Sequence, residues 1–505
     1  MTPIRLDANL AAQEASTRIS AFLPDNSFCT NWFALTRSQT GTMRFLLLCT
    51  AGFGAWAIMR RTTQKSRQRW LIALLLLGGA AAIAGILGKW VYPQGDTLYW
   101  FIPVQHGRPG PMGGFMNRNH FGGFLAILAP SALCLAAIAI NNRRPFSALL
   151  AFGTTALLAA GTLLSLSRGG TLALIAGFLA CTATILIRSD HKSKICVLAA
   201  LILLTAIGTY AIFQIPALRA RMTDWDSPAT REAATVRWTA WQDTLAIARA
   251  YPMLGAGPNA FRTVYPQHRL TSDRAARDFA ENEYAQWLAE TGLTGLLLAL
   301  AFASILFRQI YRQCKRPPNP NTTALAPAAI GALAAAAMHA TLDFPLRLPL
   351  YAITLAAISA LLWPAPSQTE TNDLRPNATH TTAIAIGLLF ALLSLPANLQ
   401  LDAPGTITAA PPAMAMRALH AAPTYPIVWR RLAATLWQHP DPEAHAYAVA
   451  LLTQAAEYDP NNYILWRTLG ERRQAIGDNT GANAAYHRVR ELRDWVRVPT
   501  LPEDP

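Results

Sequence analysis

The chain has 505 residues, of which 52% are hydrophobic and only 14% charged, and it carries a formal net charge of +15. Soluble globular domains hold about a quarter charged residues, so composition excludes an ordinary soluble enzyme. The basic excess would suggest nucleic acid in a soluble chain; here its placement gives another reason, and nucleic acid is not an expected partner.

Residues 1–43 form an N-terminal tail. It has no short apolar core followed by a small-residue cleavage site, so no removable signal peptide is expected. Ten apolar segments follow, at about 44–59, 71–89, 119–141, 147–165, 169–187, 195–213, 288–308, 324–342, 348–363 and 381–398. Runs of this length and polarity predict membrane-crossing helices. The expected fold is therefore all-α: a polytopic membrane protein of about ten transmembrane helices. The six cysteines show no close pair, so neither a metal site nor a disulfide framework is indicated.

Four short loops are basic: "RRTTQKSRQR", "NNRRP", "RSDHKSK" and "RQIYRQCKR". If the ten spans alternate, all four fall on one side, which the positive-inside rule makes cytoplasmic. The opposite side then receives residues 90–118, a long loop at 215–287, and everything after about 398. The domains expected are the tail 1–43, a membrane domain 44–398 that includes the loop 215–287, and a C-terminal domain 399–505.

The loop contains nine arginines and no lysine. Arginine grips phosphate through a planar fork, whereas a solvated face accepts lysine equally well. The pattern points to a phosphorylated lipid ligand; Arg-rich codon usage is the other reading. "TVRWTAWQDTLAIARAYPMLGAGPNAF" predicts a helix ended by Pro252, with Trp238, Trp241, Leu245 and Ala248 packed inward. Gly255 and Gly257 allow positive φ and close backbone approach, although a lone GxG is weak evidence for phosphate binding. Earlier, Arg168 stands between two apolar spans, where a charge snorkels, pairs or works.

"DFAENEYAQWLAETG" opens the helix after the loop. Asp278 and Glu281 have the spacing of an N-cap and its reciprocal glutamate. Glu283, Gln286 and Glu290 share one face, expected to be wet. Glu281 aligns instead with Tyr284, Ala285 and Leu288, the face expected to pack. A carboxylate turned toward a packed, arginine-rich region has a partner or a raised pKa, so Glu281 either caps its helix or carries a proton.

The C-terminal stretch repeats "WRRLAATLW" as "WRTLGERRQAIG" 37 residues later, and Trp466, Leu469, Gly470, Gly477, Ala482 and Tyr486 fall at tetratricopeptide positions. It resembles a helical-repeat domain, which binds a protein partner or serves as a packing appendage.

In order, "GGFMNRNHFGGFLAI", "LSLSRGGTLAL", "RWTAWQDTLAIARAYPMLGAGPNAF", "ENEYAQWLAETGLTG" and "HATLDFPLRLP" resemble the O-antigen ligase and polymerase superfamily over about residues 100–365. The resemblance implies a multi-span glycosyltransferase of the GT-C type in the bacterial inner membrane, with its active face periplasmic. It implies an undecaprenyl-pyrophosphate-linked glycan as donor, a glycan, lipid or protein hydroxyl as acceptor, and metal-independent inverting transfer without a cofactor. Arg168 and Arg237 match arginines that would stabilise the leaving pyrophosphate. The family's ligases place a His-Asn pair where this chain has Glu281-Asn282, so the resemblance makes Glu281 the base, with His268 the other choice. Arg118 and Asn119, beside Asn117 and His120, fall at its "NxN" element; the same stretch also reads as a capped helix start. Asn282, Gly255, Gly257, Tyr284 and His339 complete the expected binding set, and Asp343 and Arg347 would support it. The departure from histidine favours a polymerase or a protein O-oligosaccharyltransferase over a lipid A-core ligase. A glycolipid transporter would show paired broken helices and internal repeats, and neither is evident. A non-catalytic scaffold leaves the arginine-only loop without a reason.

Overall fold

The structure is a computed structural model that describes residues 38–91, 97–98, 102–103, 112–188, 191–224, 226–270, 277–315, 324–366, 419, 425–493 and 497–501. The protein is an all-α polytopic membrane protein. Among the described residues, seven helices are long and apolar enough to cross a bilayer. They are α1 (Gln39–Arg61), α2 (Gln64–Val91), α3 (Arg118–Asn141), α4 (Pro145–Leu164), α5 (Arg168–Arg188), α6 (His191–Gln214) and α10 (Glu283–Lys315). The eighth and ninth expected spans are the shorter apolar helices α11 (Ala326–Ala340) and α12 (Pro349–Ser359, extended by a 3-10 turn to Leu362). The tenth, 381–398, lies outside the described residues. So does most of the tail, although α1 begins within its last residues. Two two-residue strands, β1 (Thr97–Leu98) and β2 (Ile102–Pro103), pair antiparallel between α2 and α3.

The bundle is built around α3, which is buried over most of its length. Small residues bring its neighbours close. A Cβ on Gly177 of α5 would lie 2.9 Å from Pro130 of α3, and one on Gly331 of α11 would lie 2.5 Å from Pro130. Without a hydrophobic effect between helices in lipid, such close packing supplies the attraction. Helices α6 and α10 instead expose apolar side chains along their length, the faces a bilayer would cover.

The two ends of the bundle differ. At one end lie the basic loops, and three of their polar groups cap helices. Arg67 donates to the carbonyls of Met59, Arg60 and Trp363 at 3.0, 2.9 and 2.7 Å. Arg188 donates to the carbonyl of Gln313, whose amide donates to the carbonyl of Leu362 at 2.7 Å. At the other end α7 (Pro216–Thr223), α8 (Pro228–Ala250) and α9 (Phe261–His268) fold over the bundle. The helix after "TVRW" ends at Ala250, ahead of Pro252 as expected. Its inward face differs from the expectation. Trp238 and Leu245 are exposed, and Ala240, Asp243, Thr244 and Ile247 are buried. Asp243 decides the orientation, because its carboxylate accepts from the Tyr265 hydroxyl (2.9 Å) and the Leu270 amide (2.8 Å). Of the expected stripe, Trp241 is half-buried and Ala248 packs against the cluster around Ile247 and Val264, so it is Trp238 and Leu245 that face outward.

Helix α10 is broken at Gly292, which has φ +62. The turn after α8 docks into the break. Ala256 and Gly257 donate to the carbonyls of Ala289 and Glu290 at 3.0 and 2.9 Å, and Leu293 and Thr294 donate to those of Pro252 and Met253 at 2.8 and 3.1 Å. Gly255 (φ +68) faces this junction with no room for a side chain: its Cβ would stand 2.1 Å from the Glu290 carbonyl carbon. Thr42 of α1 closes the far side through the Pro258 carbonyl (2.9 Å).

Four further helices, α13 (Pro426–Leu436), α14 (Pro442–Tyr458), α15 (Tyr463–Ala475) and α16 (Asn479–Leu492), pack in chain order around Trp429, Leu432, Leu452 and Leu469.

Gly255→Ala should melt earlier by at least the roughly 1–3 kcal/mol of a strained left-handed residue, with the clash added. Thermal unfolding in detergent measures this. A variant as stable as the parent would refute the backbone-docking role.

Candidate functional site

The site end of the bundle collects the first residues of α3 and α5, the last of α11, and the segment before α10. Each start is locally capped. Asn117 accepts from the Asn119 amide at 2.8 Å and starts α3. The Ser167 hydroxyl accepts from the Gly170 amide at 3.0 Å and starts α5. Paired glycines then let the two helices touch. A Cβ on Gly170 would lie 3.1 Å from the Gly122 carbonyl carbon, and one on Gly123 would lie 2.1 Å from His339.

Four rings and a carboxylate join these elements. His120 Nε2 is 3.2 Å from Asp343 Oδ1, and His339 Nε2 is 3.7 Å from Asp343 Oδ2. Phe344 lies edge-on to His120 at 4.8 Å between ring centres and stacks on Phe279 at 3.9 Å. Phe279 thereby ties the segment that carries Glu281 to Asp343 and His120. The Asp343 carboxyl is held below the usual aspartate range. Burial opposes this, but the His120 contact, the charges of both histidines and the Phe344 amide outweigh it.

Glu281 is half-buried and has φ +55, a conformation uncommon outside glycine. It does not cap α10. That helix begins at Glu283, and Asn282 caps it by accepting from the Ala285 amide at 3.0 Å. Asp278 is drawn away to Arg262 at 3.0 Å. The capping reading of Glu281 is thus overturned by its position outside the helix. Its carboxyl is pushed up to about 7, first by burial and then by the Asp343 charge, against the opposing pull of Arg237, His120 and Arg277.

The carboxylate face expected to be wet is the buried one. Arg347 Nε is 2.9 Å from Glu283 Oε1 and its NH1 is 2.7 Å from Glu290 Oε2, with the three side chains 7%, 7% and 2% exposed. Glu290 also accepts from the amides of Asn259 (2.7 Å) and Phe261 (3.2 Å), and Gln286 bridges Glu290 Oε1 to the Ala280 amide. Tyr284, on the face expected to pack, is exposed, and its hydroxyl reaches the Ala337 carbonyl at 2.8 Å. Local spacing carries no sign of the clamp, because Arg347 lies 64 residues beyond Glu283. Two glutamates at i and i+7 read as solvated until their cation is known.

The loop arginines divide by role. Arg269 pairs with Asp459 and Arg262 with Asp278; Arg277 donates to the Tyr265 hydroxyl at 3.0 Å; Arg231 pairs with Asp226 in solvent. Arg249 and Arg219 are exposed, and Arg274 lies outside the described residues. Much of the arginine bias therefore serves carboxylates and carbonyls. Arg168 reaches the carbonyls of Arg221 and Asp224, both at 2.8 Å, while Arg221 returns to the Leu166 carbonyl at 3.2 Å. Arg237 is half-buried and makes no hydrogen bond or ion pair among the described residues. Its charge acts on both Arg168 and Glu281. Half-buried Arg118 feels Arg221 in turn.

The structure thus gathers Glu281, Arg237, Arg277, His120 and Asp343, with Arg168, Arg221 and Arg118 alongside. It sets others apart. Gly255 and Gly257 have the expected positive φ, but the Gly257 amide is used by Glu290 and the Gly255 amide by Tyr251. Asn282 and Asn119 are engaged in helix starts. His339 is fully buried against Gly123, and His268 sits against Tyr251 at 5.8 Å.

Residues 153–300 match the O-antigen ligase family. This segment contains Arg168, Arg221, Arg237, Arg277 and Glu281, and it assigns the protein in general terms to membrane glycan transfer. His120 and Asp343 lie outside it. No curated protein matches the chain.

Arg347→Met leaves two buried glutamates facing each other, and breaking such a pair costs about 3–5 kcal/mol. Thermal unfolding checks this; a loss under about 1 kcal/mol, typical of an exposed ion pair, would refute the clamp.

Proposed function

We propose that the protein is a glycosyltransferase that moves a glycan from an undecaprenyl-pyrophosphate carrier to an acceptor hydroxyl, at the periplasmic face of the bacterial inner membrane. The observation that carries this reading is Glu281. It is a strained, half-buried carboxyl outside any cap, pushed up to about 7, in the field of Arg237 and Arg277 within the ligase-family segment. A base works best with a pKa near the operating pH, and backbone strain concentrates at functional sites.

In the proposed step Glu281 takes the proton of the acceptor hydroxyl. The freed oxygen attacks the anomeric carbon, and the bond from that carbon to the carrier pyrophosphate breaks with inversion. Negative charge grows on the departing phosphate, and its stabilisation falls to Arg237, whose charge acts on Glu281, and to Arg168 beside it. Arg237 is the freer of the two, since Arg168 already holds two loop carbonyls. Glu281 takes the place of the histidine in the family's ligases, and it needs only to be ionised. The C-terminal helices constitute the tetratricopeptide-like region.

Purified protein incubated with an undecaprenyl-pyrophosphate oligosaccharide and acceptors should yield extended or transferred glycan. Glu281→Gln should lower turnover by about 10²–10⁴-fold, the usual worth of a general base. The rate should rise with pH up to about 7 and level off above it, as the carboxyl ionises. Stability runs the other way. A carboxyl with a raised folded pKa destabilises the fold as pH climbs from its ordinary value of 4.5 through about 7. Glu281→Gln should therefore match or exceed the parent's melting temperature at pH 8. An active variant that melts earlier would remove Glu281 from the chemistry.

Arg237→Ala should lose transfer with little change in melting temperature. Arg168→Ala should lose transfer and also loosen the 221–224 segment. Full transfer in both variants would exclude these arginines from the site.

A further inference from the structure

The C-terminal helices touch the loop at two arginines that the transfer chemistry does not use. Arg269, at the end of α9, is 2.8 Å from Asp459, which follows α14; their side chains are only 3% and 8% exposed. The Asn461 side chain donates to the Arg269 carbonyl, and Asn462 holds the second Asp459 oxygen at 2.8 Å. Burial pushes the Asp459 carboxyl up, against Arg269, Asn462 and Arg430. A buried pair of this kind is geometrically demanding, and loss of either partner leaves an uncompensated charge.

The second contact is Arg262. Its Nε is 3.0 Å from Asp278 Oδ1 and 2.8 Å from the Tyr425 hydroxyl, and its guanidinium lies 5.4 Å from the centre of the Tyr425 ring. Asp278 precedes Glu281 by three residues. Tyr425 immediately precedes α13. One guanidinium thus joins the first of the C-terminal helices to the segment that presents Glu281. Helix α9 lies between the two contacts. It packs through Phe261, Val264 and Tyr265 on Ile247 of α8, on Ala280 and on Ala289 of α10. Tyr265 also receives Arg277, one of the arginines acting on Glu281.

We infer that the C-terminal helices are an internal brace for the site, and that Arg262, Arg269, Tyr425 and Asp459 are positioning residues. The helices hold α9, and through it the Asp278–Glu281 segment, in the strained arrangement Glu281 needs. Packing alone does not fix a left-handed glutamate ahead of a helix, and something must over-determine it. Arg262 grips that segment through Asp278, and Phe344 grips it through Phe279. The inference rests on the proposed role of Glu281 for its catalytic consequence, but its structural half stands apart from that role.

The test uses the full-length protein and two substitutions, Asp459→Asn and Tyr425→Phe, with Asp459→Glu as the conservative control. Hydrogen exchange is read in peptides covering Phe261–Arg269 and Arg277–Glu281, together with glycan transfer and its pH profile. For folded Asp459→Asn and Tyr425→Phe we expect lost protection in both peptides, and kcat down by as much as 10²-fold with KM little changed, the scale of a slight misplacement. The pH midpoint should fall toward the ordinary carboxylate value as water reaches Glu281. Asp459→Glu should recover part of each. If Asp459→Asn does not fold, Tyr425→Phe alone decides, since it removes a single hydroxyl. Unchanged protection overturns the brace whatever the chemistry. Lost protection with unchanged kcat and pH midpoint overturns its service to transfer. Absence of transfer in the parent would fail the proposed function and leave the exchange result to judge the brace.

Discussion

Everything at the site end depends on one buried cation. Arg347 neutralises Glu283 and Glu290 on the inner face of α10, and Glu290 in turn receives the amides that shape the Asn259–Phe261 turn. Two carboxylates taken out of water without a partner would change protonation or open the helix. With Arg347 present, the first two turns of α10 can lie inside the protein, and the chain can break at Gly292 to admit the neighbouring turn. Glu281 stands two residues before this anchored segment, so the clamp fixes the point from which the proposed base is presented.

A division of labour follows. The charges that hold the architecture are paired and deeply buried, as in Arg347 with its glutamates and Arg269 with Asp459. Those assigned to chemistry are half-buried and bound less tightly: Glu281 outside its helix, Arg237 without a bonded partner among the described residues, Arg277 on a phenol. Asp343 stands between the classes. It is firmly held by His120 and the Phe344 amide, yet it is the nearest reason, after burial, that Glu281 resists ionisation.

The membrane-crossing pattern was legible because hydrophobic length is a property of contiguous sequence; nine of the ten expected spans correspond to apolar helices, and the tenth falls outside the described residues. The significance of Arg168, Arg237 and Glu281 could be raised from local motifs. What sequence could not show was pairing across distance. Reading α10 by periodicity assigned Glu283, Gln286 and Glu290 to water, since nothing nearby announced Arg347. Reading α8 by its tryptophans misplaced Trp238 and Leu245, because Asp243 finds its partners in Tyr265 and Leu270 and takes the buried face with it. Composition likewise exaggerated the phosphate argument, as an arginine committed to Asp459 looks the same in sequence as one open to a ligand.

At the opposite end of the bundle, the cationic loops have two duties that are usually kept separate. A short basic loop biases which way a nascent span inserts, and for that purpose lysine and arginine are interchangeable counts of charge. Arg67 is not interchangeable. Its fork closes three carbonyls from the ends of two different helices, which a lysine's single ammonium cannot match in direction. A residue whose charge counts toward such an insertion bias is here also a rivet between the first and last described spans. Insertion signal and finished joint are thus written in one codon, and a change made to alter one of them reaches the other.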